Sequence, residues 1–214
     1  MYQPPLFKEE RLDVLHGLIQ THPFGLIISV GPDGEPMANA IPLLLDAGAG
    51  AKGVLRGHLA RANPQWKLLS ETGKALVVFQ GPYSYVTPSW YESKKEHGKV
   101  VPTWNYVMVQ ARGVVRIHED APWLREHVGV ISDAHERGRA EPWAVSDAPE
   151  SFIAGQLKGI VGLEIEITAI EGKWKVSQNR PVPDRVGVAA GLAASGDSSM
   201  AELVEARSGT LGGR

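Results

Sequence analysis

Gly159-Ile-Val-Gly-Leu-Glu-Ile-Glu-Ile-Thr-Ala-Ile170 alternates without a break. Val161, Leu163, Ile165, Ile167 and Ala169 fall on one side of an extended chain, and Ile160, Gly162, Glu164, Glu166 and Thr168 on the other. A two-residue period of this kind is that of an antiparallel strand with one face on a core. Glu171-Gly172 then reads as a turn into another strand, Lys173 to Ser177. The extended signal recurs upstream. Gly25 to Val30 and Met37 to Leu45 flank the turn residues Gly31-Pro32-Asp33-Gly34 and read as a hairpin. Gly53 to Leu59, Ala75 to Gln80 and Tyr83 to Trp90 follow, and Trp104 to His118 is long enough to bend around a barrel. The chain is expected to be mainly β, antiparallel, and closed by its late strands.

Helical periods flank these strands. Leu12, Leu15, Leu18 and Ile19 predict a helix over Lys8 to Gln20. Asn63-Pro64 has the form of a cap followed by a first-turn proline, opening a helix to about Thr72 that Gly73 ends. Trp123, Leu124, Val128 and Ile131 share one face between Asp120 and Arg137, and Asp147-Ala-Pro-Glu150 has capping-box spacing before a further helix. Asp184 to Ala194 and Ser198 to Ala206 read as two short helices, and Ser208 to Arg214 as a loose glycine-rich tail. The expected organisation is one domain over residues 1–180, with helices inserted at 120–157, and a helical extension with its tail over 181–214.

The chain has 214 residues, 43% hydrophobic and 21% charged, with a formal net charge of -2. That balance provides no field that would draw the protein to nucleic acid or anionic lipid. The sequence contains no cysteine, which excludes disulfides, thiolate metal sites and a cysteine nucleophile, and fits a reducing cytoplasm. Met1 to Glu10 lacks the pattern of a secretory leader, and no apolar run reaches membrane-spanning length, so a cytoplasmic protein is expected. The seven histidines, His16, His22, His58, His97, His118, His127 and His135, fall in no metal-ligand spacing, and no metal is assigned. Ser89 and Ser177 sit outside any nucleophile elbow, and there is neither a dinucleotide fingerprint nor a P-loop. No catalytic residue is assigned.

Three stretches carry candidate chemistry. Tyr83, Ser84, Tyr85, Thr87, Ser89, Trp90 and Tyr91, followed by Thr103 and Trp104, put planar rings beside short hydroxyls, the combination that takes a flat heterocycle. The alternative is that aromatic residues favour strands. Arg56-Gly-His58-Leu-Ala-Arg61-Ala-Asn63-Pro-Gln65-Trp66 runs from a strand end into a helix N-terminus, where free N–H groups and a guanidinium suit a phosphate. Alternatively Asn63 is only a cap and the arginines are solvated. The third, Lys173-Trp-Lys175-Val-Ser177-Gln178-Asn179-Arg180, reads by itself as a solvated basic turn.

These residues resemble the PaiB family, the FMN-binding negative transcriptional regulators, within the FMN-binding split-barrel group that includes pyridoxamine-phosphate oxidases. The resemblance rests on the Arg56 to Trp66 stretch, on Tyr85-Val-Thr-Pro88-Ser-Trp90-Tyr91, on Val101-Pro-Thr-Trp104-Asn105-Tyr106 and on Ser177-Gln178-Asn179-Arg180. It implies a six-stranded antiparallel split barrel that forms a homodimer, with FMN sites between the subunits. Arg56, His58, Arg61 and Asn63 would then serve the phosphate. Ser84, Tyr85 and Thr87 would line the ring and ribityl chain, with Trp104, Asn105, Gln178 and Arg180 from a neighbouring strand or the partner. A flavin-dependent regulator is the first functional reading. An FMN-dependent oxidoreductase is the second, and a haem-binding split barrel with His58 or His118 as axial ligand the third. DNA is a partner by resemblance only.

Overall fold

The computed structural model describes residues 1–207, so the expected loose tail Ser208–Arg214 lies outside the described residues. The elements run β1 (Lys8–Glu9), α1 (Leu12–Thr21), β2 (Phe24–Val30), β3 (Pro36–Pro42), β4 (Leu44–Asp46), β5 (Val54–Ala60), α2 (Gln65–Thr72) and β6 (Lys74–Val86). They continue as α3 (Ser93–His97), β7 (Thr103–His118), α4 (Ala121–Glu136), α5 (Glu150–Leu157), β8 (Ile160–Lys175), α6 (Val182–Ala194) and α7 (Ser198–Ala206). The strands form one sheet in the order β3-β2-β6-β7-β8-β5-β4, with β1 paired to β8. The β2–β3, β2–β6, β4–β5, β5–β8 and β1–β8 ladders are all antiparallel. The fold is therefore mainly antiparallel β with flanking helices, the split-barrel class.

The described residues hold eight strands where six were expected. The expected strand Met37 to Leu45 divides at Leu43, whose N–H turns to the carbonyl of Pro23 at 2.8 Å. Lys8 and Glu9, expected in a helix, pair instead with Lys173 and Gly172. The Glu9 carboxylate then accepts the N–H groups of Glu10 and Arg11 at 3.0 and 2.9 Å, so the helix starts only at Leu12. Two expected breaks do not occur. Ala75 to Gln80 runs on through Pro82 as part of β6, and β8 passes through Glu171-Gly172 without turning. Gly172 is required for close packing, since a β-carbon there would overlap Leu15 and Trp174. The capping box at Asp147 also fails to form. Pro149 precedes α5, and the Asp147 carboxylate accepts the Ala144 N–H at 2.8 Å. By contrast, α2 forms as its sequence predicts: Asn63 Oδ1 accepts the Gln65 N–H at 3.0 Å, and Gly73 closes the helix at φ 64°.

The chain divides into two compact units. The first comprises residues 1–18, 80–109 and 171 onward, and the second residues 19–79 and 110–170. In the second, Ile27, Leu43, Leu55, Leu69, Val77, Phe79, Leu163 and Ile165 form the core. The fully buried Gln65 ties α2 to the hairpin there. Its amide donates to Ile27 O, Met37 O and Ser29 Oγ at 3.1 to 3.2 Å and accepts from Asn39 Nδ2 at 2.9 Å.

In the first unit, Leu15, Tyr91, Val107, Trp174, Val188, Leu192, Met200 and Val204 are buried. Glu9 is buried among them and is held by Arg11 at 2.8 Å and by Arg207. Burial alone would raise its carboxyl, but hydrogen bonds and charge from the two arginines hold it down at about 2. The Glu9 carboxylate therefore stabilises the fold above pH 4.5 and loses that contribution as pH falls toward 2. Removing the carboxylate takes from the half-buried Arg207 the acid it pairs with, whereas Arg11 is largely exposed to water. Urea unfolding of Glu9→Gln at neutral pH is expected to show a loss of about 3 kcal/mol that shrinks steadily on acidification.

Candidate functional site

In the second unit, Arg56 and His58 lie two residues apart on β5 and so project to one face. Arg56 Nε donates to Glu164 at 3.2 Å, and its other end lies 3.9 Å from Asp46. His58 Nδ1 meets His127 Nε2 of α4 at 3.1 Å, the donor depending on the tautomer. Trp123 stacks flat on His118 at 4.1 Å and on His127 at 5.2 Å. Gly162 leaves room for that indole, because a β-carbon there would overlap its ring. Arg61, just past β5, donates to Lys158 O at 2.9 Å, to Ile160 O at 3.1 Å and to the Glu119 carboxylate. A cavity of about 710 Å³ opens beside it, lined by Glu119, Leu124, Arg125, Glu150 and Leu157 among others. Arg56, His58, Arg61 and Asn63 thus all belong to this unit. Both arginines are matched by carboxylates, and Asn63 is occupied as the cap of α2.

Burial, then the charges of His58 and Arg56, pushes the His127 imidazole down to about 4. Burial alone lowers His58. A histidine kept neutral in the fold loses stability when the unfolded chain takes up the proton, which begins below the ordinary 6.5 and continues to about 4. The slope amounts to roughly 3 kcal/mol if fully realised. Acid unfolding of His127→Gln should therefore show a flatter pH dependence between 6.5 and 4 than the parent chain. An unchanged slope would assign the acid sensitivity to other groups.

In the first unit the ring-bearing strands behave differently from a simple alternation. Along β6 the buried positions are Ala75, Val77, Phe79 and Gly81, and then Ser84 and Val86. This slip of one residue at Pro82 is the mark of a bulge. It turns Tyr83 and Tyr85 outward, where they are 63% and 48% exposed. Trp104 on β7, 52% exposed, lies 6.2 Å from Tyr83 and 5.8 Å from Tyr85. A cavity of about 510 Å³ is lined here by Gln80, Tyr83, Trp104, Tyr106 and Met108.

The remaining expected residues of this unit are mostly turned inward. Ser84 donates to Asp197, and Thr87 caps the turn Pro88–Trp90 by accepting the Ser89 N–H at 3.2 Å. Asn105 is fully buried and exchanges hydrogen bonds with Ser177 at 3.0 and 3.2 Å. Gln178 is spent on Trp174 O and the Val176 N–H. Arg180 packs over the Tyr91 ring at 4.5 Å. The stretch read as a solvated basic turn is strand and buried loop: Lys173 is only 8% exposed, and Lys175 Nζ donates to Thr103 Oγ1 at 2.6 Å and to Trp104 O. The sequence reading quoted Lys173 and Lys175 only as part of a solvated turn, and it missed the Trp123–His127 stack. The signal for the lysines was their two-residue spacing on the same strand as Trp174.

The three clustered rings, 48 to 63% exposed, fit a planar ligand such as an isoalloxazine. In the second unit the arginines suit a phosphate by charge, although Glu119, Glu164 and Asp46 already offset them. An antiparallel split barrel with an open aromatic face suits a planar small ligand. Residues 1–169 match the family described as "Putative FMN-binding domain", and the chain belongs to it. It is 36% identical over 226 residues to an uncharacterized protein of Emericella nidulans, covering 90% of each chain. It is 32% identical to the Bacillus subtilis "Protease synthase and sporulation protein PAI 2", covering 96% of this chain and 97% of that one. Among solved structures, the FAD and heme binding protein from Mycobacterium smegmatis superposes with a TM-score of 0.55 at 20% identity, over 78% of this chain and 73% of that one. That likeness is one of fold. FMN, the cofactor expected from the sequence, is the one by which the family is defined. No helix among the described residues is long and apolar enough to cross a membrane.

Proposed function

We propose that the chain is an FMN-binding, PaiB-type flavoprotein that acts in the cytoplasm as a flavin-dependent sensor or regulator and works as a homodimer. The exposed Tyr83, Tyr85 and Trp104 cluster carries the flavin reading, since aromatic faces left open on a strand pair stack a heterocycle. In the first unit, Tyr85 and Trp104 take the ring-contacting role. Ser84, Thr87, Asn105 and Gln178 fix the strands and loop around them, and Arg180 supplies charge. In the second unit, Arg61 takes the phosphate role, with Arg56, His58 and Asn63 setting its surroundings. FMN supplies one- and two-electron redox chemistry, while the chain contributes binding, orientation and electrostatics.

The outer face of the hairpin supports the homodimer. Phe24, Leu26, Ile28 and Val30 stand opposite Pro42, Ala40, Ala38 and Pro36, and Leu26 and Ile28 adjoin Val78 and Leu76 of β6. Phe24, Leu26 and Val30 are exposed, so both faces of this sheet are apolar. An antiparallel sheet of a monomer normally keeps one polar face, and a contiguous apolar one marks an association surface. The regulator role rests on the resemblance to the PaiB family alone, and DNA contact would require a surface that the net charge of -2 does not supply in bulk.

Two measurements test this reading. Titration of desalted protein with FMN, followed by flavin fluorescence, should saturate at one per subunit. Arg61→Ala should weaken it by roughly ten- to a hundred-fold, as loss of charge-assisted hydrogen bonds implies. Trp104→Ala should weaken it by roughly ten-fold. An absence of saturation would remove the flavin reading. Separately, light scattering should give twice the chain mass for the parent and the single-chain mass for Leu26→Glu with Val30→Glu. A parent that runs as a monomer would refute the dimer.

A further inference from the structure

We propose, on the reading that Arg61 holds the FMN phosphate, that Glu119 is a specificity-determining residue of that site: its carboxylate occupies the edge of the guanidinium that the phosphate needs, and FMN enters by displacing it. Arg61 is fixed from several sides. Its backbone N–H donates to Gly159 O at 2.8 Å, and its carbonyl accepts the Trp66 indole N–H at 2.9 Å. Its Nε and Nη2 donate to Lys158 O and Ile160 O at 2.9 and 3.1 Å. Only Nη1 is turned to a side chain, the Glu119 carboxylate.

These partners differ in how they can respond to a ligand. The two carbonyls belong to the backbone at the start of β8 and move only with it, whereas Glu119 sits between β7 and α4 on a side chain that is 53% exposed. An ion pair in that much solvent is weak and exchanges readily with another anion. Arg61 and Glu119 both line the 710 Å³ cavity, so the exchange takes place where a ligand has room. Displacement sorts ligands by charge. A phosphate dianion brings twice the charge of a carboxylate and three acceptor oxygens to the guanidinium, and so gains more at Arg61 than Glu119 gives up. A monocarboxylate only replaces like with like, and a flavin without phosphate gains nothing there. The sign of the effect separates this role from a structural one. Because two carbonyls keep the guanidinium in place, removal of the Glu119 charge frees Nη1 without releasing Arg61, and FMN binds more tightly. Were the ion pair needed to hold Arg61, the same change would weaken binding.

The test measures the affinity of the full chain for FMN and for riboflavin by flavin fluorescence. Glu119→Gln should tighten FMN by about five-fold or more over the parent and leave riboflavin unchanged. Glu141→Gln, which removes one negative charge from an exposed loop, should change neither. In an Arg61→Ala background, Glu119→Gln should bring no gain, since the two residues act through one interaction. An FMN affinity unchanged or weakened in a folded Glu119→Gln chain, an equal tightening of riboflavin, or a gain that persists without Arg61 would each overturn the proposal while FMN binding itself stands. Should Glu119→Gln fail to fold, Glu119→Ala provides the same comparison. Binding of FMN to neither parent nor variant would remove the flavin reading and this role with it, so the two failures are distinguishable.

Discussion

Three long strands that keep a two-residue period are the constraint on which this structure depends. β6 has 13 residues, and β7 and β8 have 16 each. Their inward positions, Val77, Phe79, Val107, Val109, Leu163 and Ile165, are all fully buried. A strand of this length has its backbone satisfied by its neighbours, so every second side chain is free to be used on the other face. On β7 that other face carries Trp104 and Tyr106. A one-residue slip would exchange the faces, and β6 makes such a slip once, at Pro82. Without it, Ser84 would point outward and Tyr83 and Tyr85 would enter the core.

The two units solve their electrostatics in opposite ways. In the second, each arginine beside the expected phosphate site has a carboxylate: Arg56 with Glu164 and Arg61 with Glu119. Two histidines are kept neutral there by burial. In the first, two acids are buried: Arg11 and Arg207 claim Glu9, and Asp184 accepts from the N–H and hydroxyl of Ser93. Lys173, Lys175 and Arg180 lie against hydroxyl, carbonyl and ring partners and form no ion pair with a carboxylate among the described residues.

Several expected contact residues act at one remove. Asn105, Gln178 and Ser84 are buried and bonded to neighbours, so their effect on a ligand passes through Ser177, the Trp174–Gln178 loop and Asp197. Buried amides with every group satisfied specify one geometry, because any alternative leaves a polar atom unpaired. This accounts for a motif such as Ser177-Gln178-Asn179-Arg180 in which only the last side chain faces an aromatic ring.

Alternation and capping chemistry were legible from the sequence by itself. The β8 core positions, the hairpin at Gly31 to Gly34, the α2 cap at Asn63 with its Gly73 stop, and α7 all follow from local rules, since a strand period or a cap depends on residues a few positions apart. The strand ends, the missing turn at Gly172 and the fate of the basic stretch depended on tertiary structure. Gly172 packs under Leu15, more than 150 positions away in the chain, and the Lys173 ammonium lies over the rings of Tyr2 and Tyr106, from two other segments of the chain. Which cations found carboxylates was likewise decided in three dimensions. Arg56 and Glu164 are partners because the β5–β8 register sets them directly opposite, and a ladder register is a property of two strands together.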